Sequence, residues 1–220
     1  MLKSVLIVGK DFPNASCYVT SAIDSSRNVV VSKASQTEVG ESNIDCVSWN
    51  RNSPISARNL IVRSEAKTGV LDEAIVIFDV NSYISSYSQF DLETVSKVDD
   101  EFIRGYFYVL TEILNRFVKK SKGHLVLVVR TLPDDGRNPI ALQSAYASFV
   151  SLCENIYKEY SQSIVPKITL IKITTESDVE VSNWLFNYLD DIENLKDSNK
   201  KKKDVVWIKC GQKAKKGLLG

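Results

Sequence analysis

One histidine in 220 residues leaves little room for acid–base chemistry. That residue, His124, follows Gly123 directly and opens an apolar run, so it reads as a surface or core-edge histidine. Ser-His-Asp and Cys-His constellations therefore have no good base. The four cysteines, Cys17, Cys46, Cys153 and Cys210, are scattered, with no Cys-x-x-Cys and no histidine beside them. That spacing argues against zinc and for reduced thiols in a cytoplasmic protein. Asp134-Asp135-Gly136 is a turn before it is a metal site, because adjacent carboxylates in a loop do not converge, and no metal is expected. No apolar run approaches the ~20 residues that cross a bilayer. Met1-Leu2-Lys3 leads into a strand with no signal peptide, so a soluble protein is expected. Net charge is lacking as well: 28 Lys and Arg stand against 27 Asp and Glu. No global field then draws nucleic acid or membrane, and neither is expected as a partner. The one basic run, Lys200 to Lys203, lies near Asp190, Asp191, Glu193, Asp197 and Asp204 and reads as a solvated loop.

What is present is the composition of a folded domain, 44% hydrophobic and 25% charged, at a length that buries a continuous core. Short β-branched runs alternate with amphipathic stretches. Ser4 to Val8 (closing on Gly9), Asn28 to Ser32, Ile44 to Trp49, Glu73 to Phe78, Leu125 to Val129, Lys167 to Ile173 and Val205 to Ile208 read as strands. Asn14 is placed to cap a helix over about 15–24. Ser53-Pro54 opens another, carrying Ile55, Leu60, Ile61 and Ala66 and stopping at Gly69. A Ser/Tyr-rich loop over 81–89 precedes a helix capped by Asp99, with Phe102, Tyr106, Val109, Ile113 and Phe117 at helical spacing and Gly123 at its end. Pro139 opens a helix to Tyr160 striped by Leu142, Tyr146, Phe149, Leu152, Ile156 and Tyr160. Val181, Trp184, Leu185, Tyr188 and Leu189 stripe a last one. Such alternation implies parallel strands, right-handed crossovers and helices on both faces. No repeat or linker interrupts it, so residues 1–220 read as one domain with a flexible Lys-rich loop near 195–204 and a tail over 212–220.

In a doubly wound sheet the ligand crevice lies beyond the carboxyl ends of the strands, where strand order reverses. The residues expected there are Gly9, Lys10 and Asp11; Ser32 and Lys33; Trp49 and Asn50; Asp79 and Asn81; Arg130 and Thr131; and Thr174 and Thr175. A dinucleotide needs glycines in the first strand–helix turn so that the backbone can approach the pyrophosphate. Here Gly9-Lys10-Asp11-Phe12-Pro13-Asn14-Ala15 has no second or third glycine. Pro13 removes a donor, and Asp11 puts a carboxylate where a phosphate would sit. Binding there would have to use Lys10 or a reshaped loop.

The order of elements resembles the short-chain dehydrogenase/reductase family over nearly the full chain. Leu71-Asp72 before the fourth strand is similar to that family's Leu/Ile-Asp. Gly105 followed by aromatic residues resembles its long interface helix, and Gly123-His124-Leu125-Val126 its Gly-x-Ile-Val. Ala147-Ser148 before Phe149 looks like its Ala-Ser-Lys, and Ile208-Lys209-Cys210-Gly211-Gln212 is similar to its Ile-Thr-Gly-Gln. The resemblance implies an α/β, Rossmann-like, doubly wound, mostly parallel seven-stranded sheet with helices on both faces. It also implies hydride transfer with NAD(P), yet the motifs that perform it fall on other residues. The glycine-rich turn keeps only Gly9, with Pro13 and Ala15 at the later positions. Asn-Asn-Ala-Gly falls on Val76-Ile77-Phe78-Asp79, the serine near Arg130, with Thr131 the adjacent hydroxyl, and Pro-Gly on Ile173-Thr174. The catalytic tyrosine falls on Ala145 and its lysine on Phe149. Tyr146 is one residue off, roughly 100° around the helix. In the family the lysine lowers the tyrosine's pKa, which phenylalanine cannot do.

The leading expectation is therefore a catalytically degenerate member of this type acting as a binding or assembly module, with no cofactor expected and NAD(P) disfavoured. Helices 99–122 and 139–160 would pair in a homodimer or homotetramer, with Tyr106, Tyr108, Phe117, Phe149 and Tyr157 as contact area. The alternatives are an NAD(P)-dependent oxidoreductase with displaced groups and a nucleotide or small-anion sensor. In the first, Tyr146 or Tyr106 serves as acid, Arg130 or Thr131 stands beside the substrate oxygen, and Lys10 or Lys33 holds phosphate. In the second, Lys10, Lys33 and Arg130 hold a ligand without chemistry. On either reading the cofactor rim is Gly9, Lys10, Ser32, Lys33, Asp79 and Thr174.

Overall fold

A computed structural model of the chain describes residues 2–34, 44–134, 136, 138–160, 165–194 and 205–214. The Lys-rich loop over 195–204, most of the tail and Asp135 lie outside the described residues. The seven strands are β1 (Lys3–Phe12), β2 (Arg27–Lys33), β3 (Asp45–Ser48), β4 (Glu73–Phe78), β5 (His124–Arg130), β6 (Lys167–Ile173) and β7 (Trp207–Lys209). They form one sheet in the order β3-β2-β1-β4-β5-β6-β7. Every adjacent pair is parallel, where the sequence reading expects mostly parallel strands. The order reverses between β1 and β4, which places the crevice beyond Val8 and Phe78. All six residues of β4 are buried, as a central strand covered on both faces requires.

The helices are α1 (Ser16–Asp24), α2 (Pro54–Thr68), α3 (Leu92–Val98), α4 (Gly105–Lys120), α5 (Ile140–Tyr160) and α6 (Asp178–Asn194). One face of the sheet is covered by α2, α4 and α5 through Leu60, Val109, Ile113, Phe117, Leu142 and Phe149. The other is covered by α1 and α6 through Tyr18, Val19, Val181, Leu185 and Leu189. This is the doubly wound, Rossmann-like α/β architecture. Among the described residues no helix is long and apolar enough to cross a membrane.

Local chemistry sets several boundaries differently from the sequence reading. Ser53 does cap α2, its side chain accepting from Ser56 N, with Pro54 at the first position. Asn14 does not cap α1; Ala15 holds that place without a side-chain bond. Asp99 is not a cap either. Asp91 accepts from Thr94 N at the start of α3, and the helix then runs on through a widened π turn over Asp99–Arg104 into α4. Within α2, Ile55 and Ala66 face solvent while Ala57 and Ser64 join Leu60 and Ile61 inside. On α5 the buried stripe is Ala141, Leu142, Ala145, Phe149, Cys153, Ile156 and Tyr157, so Tyr146, Leu152 and Tyr160 lie to its side. Small residues on this face let the helix lie close against the sheet.

The amino ends of the strands carry a buried ionic cluster. Arg27 donates through Nε to Glu73 at 2.6 Å and through Nη2 to Asp190 at 2.6 Å, tying β2 and β4 to α6. Burial alone would raise the Glu73 carboxyl, but Arg27 and Lys3 outweigh it and hold it below its ordinary range. Beside it, His124 Nε2 lies 2.8 Å from Thr169 Oγ1. Burial pushes the imidazole down to about 4, against a smaller pull from Glu73 and with Lys167 and Lys3 adding to the depression. His124 is therefore neutral in the folded chain and takes up a proton more readily when unfolded. Stability should be lost as pH falls from about 6.5 towards 4, by up to about 3 kcal/mol for the full shift. Melting temperatures of wild type and His124→Gln across that window test this: the variant should lose most of the slope, whereas the loss through Glu73 begins only lower, below its unfolded value.

Candidate functional site

The first strand overruns the place where a phosphate turn would form. β1 continues past Gly9 to Phe12, which pairs with Lys33, with a register shift after Ile7. Gly9 adopts φ +99°, and a Cβ there would stand 2.0 Å from the Ile77 carbonyl oxygen. Only glycine tolerates both the conformation and the approach. Two of the backbone donors that follow are already used, since Ala15 N donates to Asp11 O at 3.2 Å and Ser16 N to Pro13 O at 3.0 Å. The start of α1 thus meets its own loop.

Asp11 is held from two sides. Ser32 Oγ donates to it at 2.5 Å and Arg51 Nη2 at 3.0 Å, and the same Arg51 nitrogen donates to Gly9 O at 2.8 Å. Arg51 lies over the rings of Trp49, Phe102 and Tyr106, at 5.0, 5.6 and 5.7 Å. A guanidinium can stack in this way while its edge still donates hydrogen bonds. Gly105, at the start of α4, makes room for it, because a Cβ there would meet Arg51 Cβ at 2.7 Å.

Beyond β4 and β5 four charges alternate. Lys10 Nζ reaches Asp79 Oδ2 at 3.1 Å and also pairs with Asp178. Arg130 Nε donates to Asp79 Oδ2 at 2.8 Å and Nη2 to Asp178 Oδ1 at 2.5 Å. Arg130 Nη1 donates to the Thr175 carbonyl, and Tyr18 OH donates to Asp178 at 3.2 Å. Burial alone would lower the Arg130 guanidinium, but Asp79 and Asp178 more than offset it and hold it above its usual range. Two cations face two carboxylates, so the group is neutral.

Of the residues expected at the crevice, the structure pairs Lys10, Asp79 and Arg130, while the Gly9 carbonyl accepts from Arg51. Ser32 belongs to the Asp11–Arg51 pair next to them. Lys33 ends β2 opposite Ser48. Thr131 is spent locally, its Oγ1 donating to Ile173 O at 3.1 Å and its N to the same oxygen at 2.9 Å. Thr174 is exposed. Tyr146 is half-buried at the edge of the core, and burial pushes its phenol up, away from what an acid at neutral pH needs. Tyr106 is buried and its hydroxyl donates to Ile77 O at 2.9 Å. Ala145 and Phe149, at the family's tyrosine and lysine positions, are both buried. Phe149 stacks on Phe78 with centroids 4.4 Å apart and 12° from parallel, and Tyr106 meets it edge-on at 5.0 Å. Among the described residues no group of three or more His, Cys, Asp and Glu side chains could hold a metal.

Sequence reasoning missed Arg51, Asp178 and Tyr18. A signal existed for Asp178: Ser177-Asp178-Val179-Glu180 is a capping sequence, and Ser177 Oγ accepts from Glu180 N at 3.3 Å. It would have set the start of α6 and with it Asp178 at the crevice. No local pattern marks Arg51 or Tyr18.

No family profile matches the chain. An uncharacterized protein of Treponema pallidum (strain Nichols) is 23% identical over 170 residues, 76% of this chain and 74% of that one. Among solved structures, a short-chain type dehydrogenase/reductase from Mycobacterium marinum is similar with a TM-score of 0.60 at 15% identity, over 78% of this chain and 73% of that one. Levodione reductase gives 0.59 at 15% identity, over 78% and 70%. A Serratia marcescens short-chain dehydrogenase/reductase mutant gives 0.59 at 10% identity, over 86% and 87%. At such identities the likeness is one of fold, and the chain has the fold of short-chain dehydrogenases/reductases.

The close approach at Gly9 gives a direct test of how tightly the crevice floor is built. Gly9→Ala should lower stability by about 2–4 kcal/mol, combining backbone strain with overpacking. Urea unfolding followed by tryptophan fluorescence measures it, and an unchanged midpoint would contradict the geometry.

Proposed function

We propose that this chain is a short-chain-dehydrogenase-like protein that does not transfer hydride and acts in the cytoplasm as a binding or assembly module. The observation that carries this reading is the neutral, mutually satisfied group Lys10, Asp79, Arg130 and Asp178 across the switch point. A dinucleotide would have to break those pairs to enter, and the group as it stands offers its phosphates no net positive charge. Ala145 and Phe149 add to the argument, since a buried methyl and a stacked ring supply neither a proton nor a cation.

The displaced-group oxidoreductase has less support. Tyr106 is engaged with a carbonyl, Tyr146 is shifted the wrong way, and Arg130 is already held by two carboxylates.

For assembly, the surface that favours self-association lies on the outer side of α3, α4 and α5. Phe107 is 42% exposed, Val118 49% and Leu92 90%, with Phe90, Val95 and Ile140 also exposed. The aromatics expected to supply that contact do not: Tyr106, Phe117, Phe149 and Tyr157 are buried within the subunit, and Tyr108 is only partly exposed. The proposed partner is a second copy, in a homodimer or homotetramer built on residues 99–122 and 139–160.

Two measurements check these points. Titration with NADH and NADPH, followed by tryptophan fluorescence, should give no saturable quenching, and Ala145→Tyr with Phe149→Lys should add no cofactor binding, because Phe149 faces the core. Saturable micromolar binding to the wild type would sink the non-catalytic reading. In analytical ultracentrifugation the wild type should sediment as a dimer or tetramer and Phe107→Glu should shift towards monomer; a strictly monomeric wild type would remove the assembly role.

A further inference from the structure

We propose that Asp178 is an internal stand-in for a ligand, and that Lys10 and Arg130 form an anion site for a phosphate group that Asp178 closes. The site is the crevice already described, and the proposal rests on the reading that no dinucleotide occupies it by default.

The two carboxylates of the group are not equivalent. Asp79 directly follows the central strand β4; its side chain is 11% exposed and also accepts from Asn81 N at 3.2 Å, which fixes it in the turn. Asp178 opens α6 after the connection over 174–177, and its side chain is 24% exposed. It is therefore the outer and displaceable member. Its two oxygens do what a bound oxyanion would do: Oδ1 accepts from Arg130 Nη2 and from Tyr18 OH, and Oδ2 pairs with Lys10. When Asp178 turns away, Lys10 and Arg130 are left against Asp79 alone, one positive charge in excess. Arginine and lysine that meet the same carboxylate suit a phosphate, whose several oxygens accept from a planar fork and a point charge together. The residual repulsion from Asp79 sets a limit on how many charges the ligand can bring.

Affinity in the wild type is then reduced by the fraction of molecules in which Asp178 is out. Inorganic phosphate and pyrophosphate, titrated calorimetrically at low ionic strength into the full chain, give the test. Asp178→Asn keeps the side-chain shape and removes its charge, and it should bind phosphate or pyrophosphate at least about tenfold more tightly than wild type. Adding Lys10→Met should abolish that gain. Asp178→Ala removes the carboxylate altogether and should tighten binding to a similar extent, so the test does not depend on one variant folding. An Asp178→Asn protein with native circular dichroism and no gain in either ligand overturns the proposal, as does a gain that survives Lys10→Met. Should Asp178→Asn not fold, an unchanged affinity in a folded Asp178→Ala protein overturns it. NADH is run in parallel: saturable binding to the wild type would defeat the non-catalytic reading while leaving the phosphate comparison to decide this one.

Discussion

The crevice of this protein depends on four charges remaining ionised in a place with little water. Moving a charge out of water costs several kcal/mol, and only well-placed partners offset it. Here each cation contacts both carboxylates and each carboxylate contacts both cations. The four side chains come from β1, from the residue after β4, from β5 and from α6, so the ring of pairs ties both sides of the switch point and the first turn of α6 together. Loss of one charge leaves an excess of the opposite sign, so the four behave as a unit.

Around that unit Asp11 and Arg51 are spent in the same inward fashion. Asp11, which would repel a phosphate, instead receives Ser32 and Arg51. Arg51 in turn needs the rings of Trp49, Phe102 and Tyr106 beneath it and the missing side chain of Gly105 beside it. Tyr106 closes the circuit by donating to Ile77 O, at the strand whose close approach Gly9 permits. The aromatic layer and the charged layer are consequently one construction. Phe149 belongs to it, because a lysine at that position would bury an ammonium against the Phe78 ring.

How much of this was legible in the sequence follows from what is local. The boundaries of β4 and β6 read correctly to the residue, since short runs rich in β-branched residues, closed by Asp79 and Thr174, carry their own signal. The helix around Asp99 did not, because the π turn over Asp99–Arg104 breaks the 3.6-residue period and hides that the true cap is Asp91. On α5, the stripe read from the apolar and aromatic residues took in Tyr146 and Leu152, while the face against the sheet is the one with Ala141 and Ala145. At the crevice, strand-end logic placed Lys10, Asp79 and Arg130 together. Their pairing was out of reach, since the partners lie 69, 51 and 48 residues apart and no period links them. The fourth member, Asp178, went unread because it stands at the start of a helix and not at the end of a strand.

A catalytic or cofactor site keeps donors and acceptors aimed at an absent partner, and the rest of the fold bears the cost of holding them unsatisfied. The four charges of this crevice are instead paired with one another, while nearby Trp49 Nε1 and Asn81 Oδ1 are buried with no hydrogen-bond partner among the described residues. The large exposed apolar side chains lie elsewhere, Leu92, Phe107 and Val118 on α3 and α4 among them. At the crevice any ligand must first compete with Asp178 for Lys10 and Arg130.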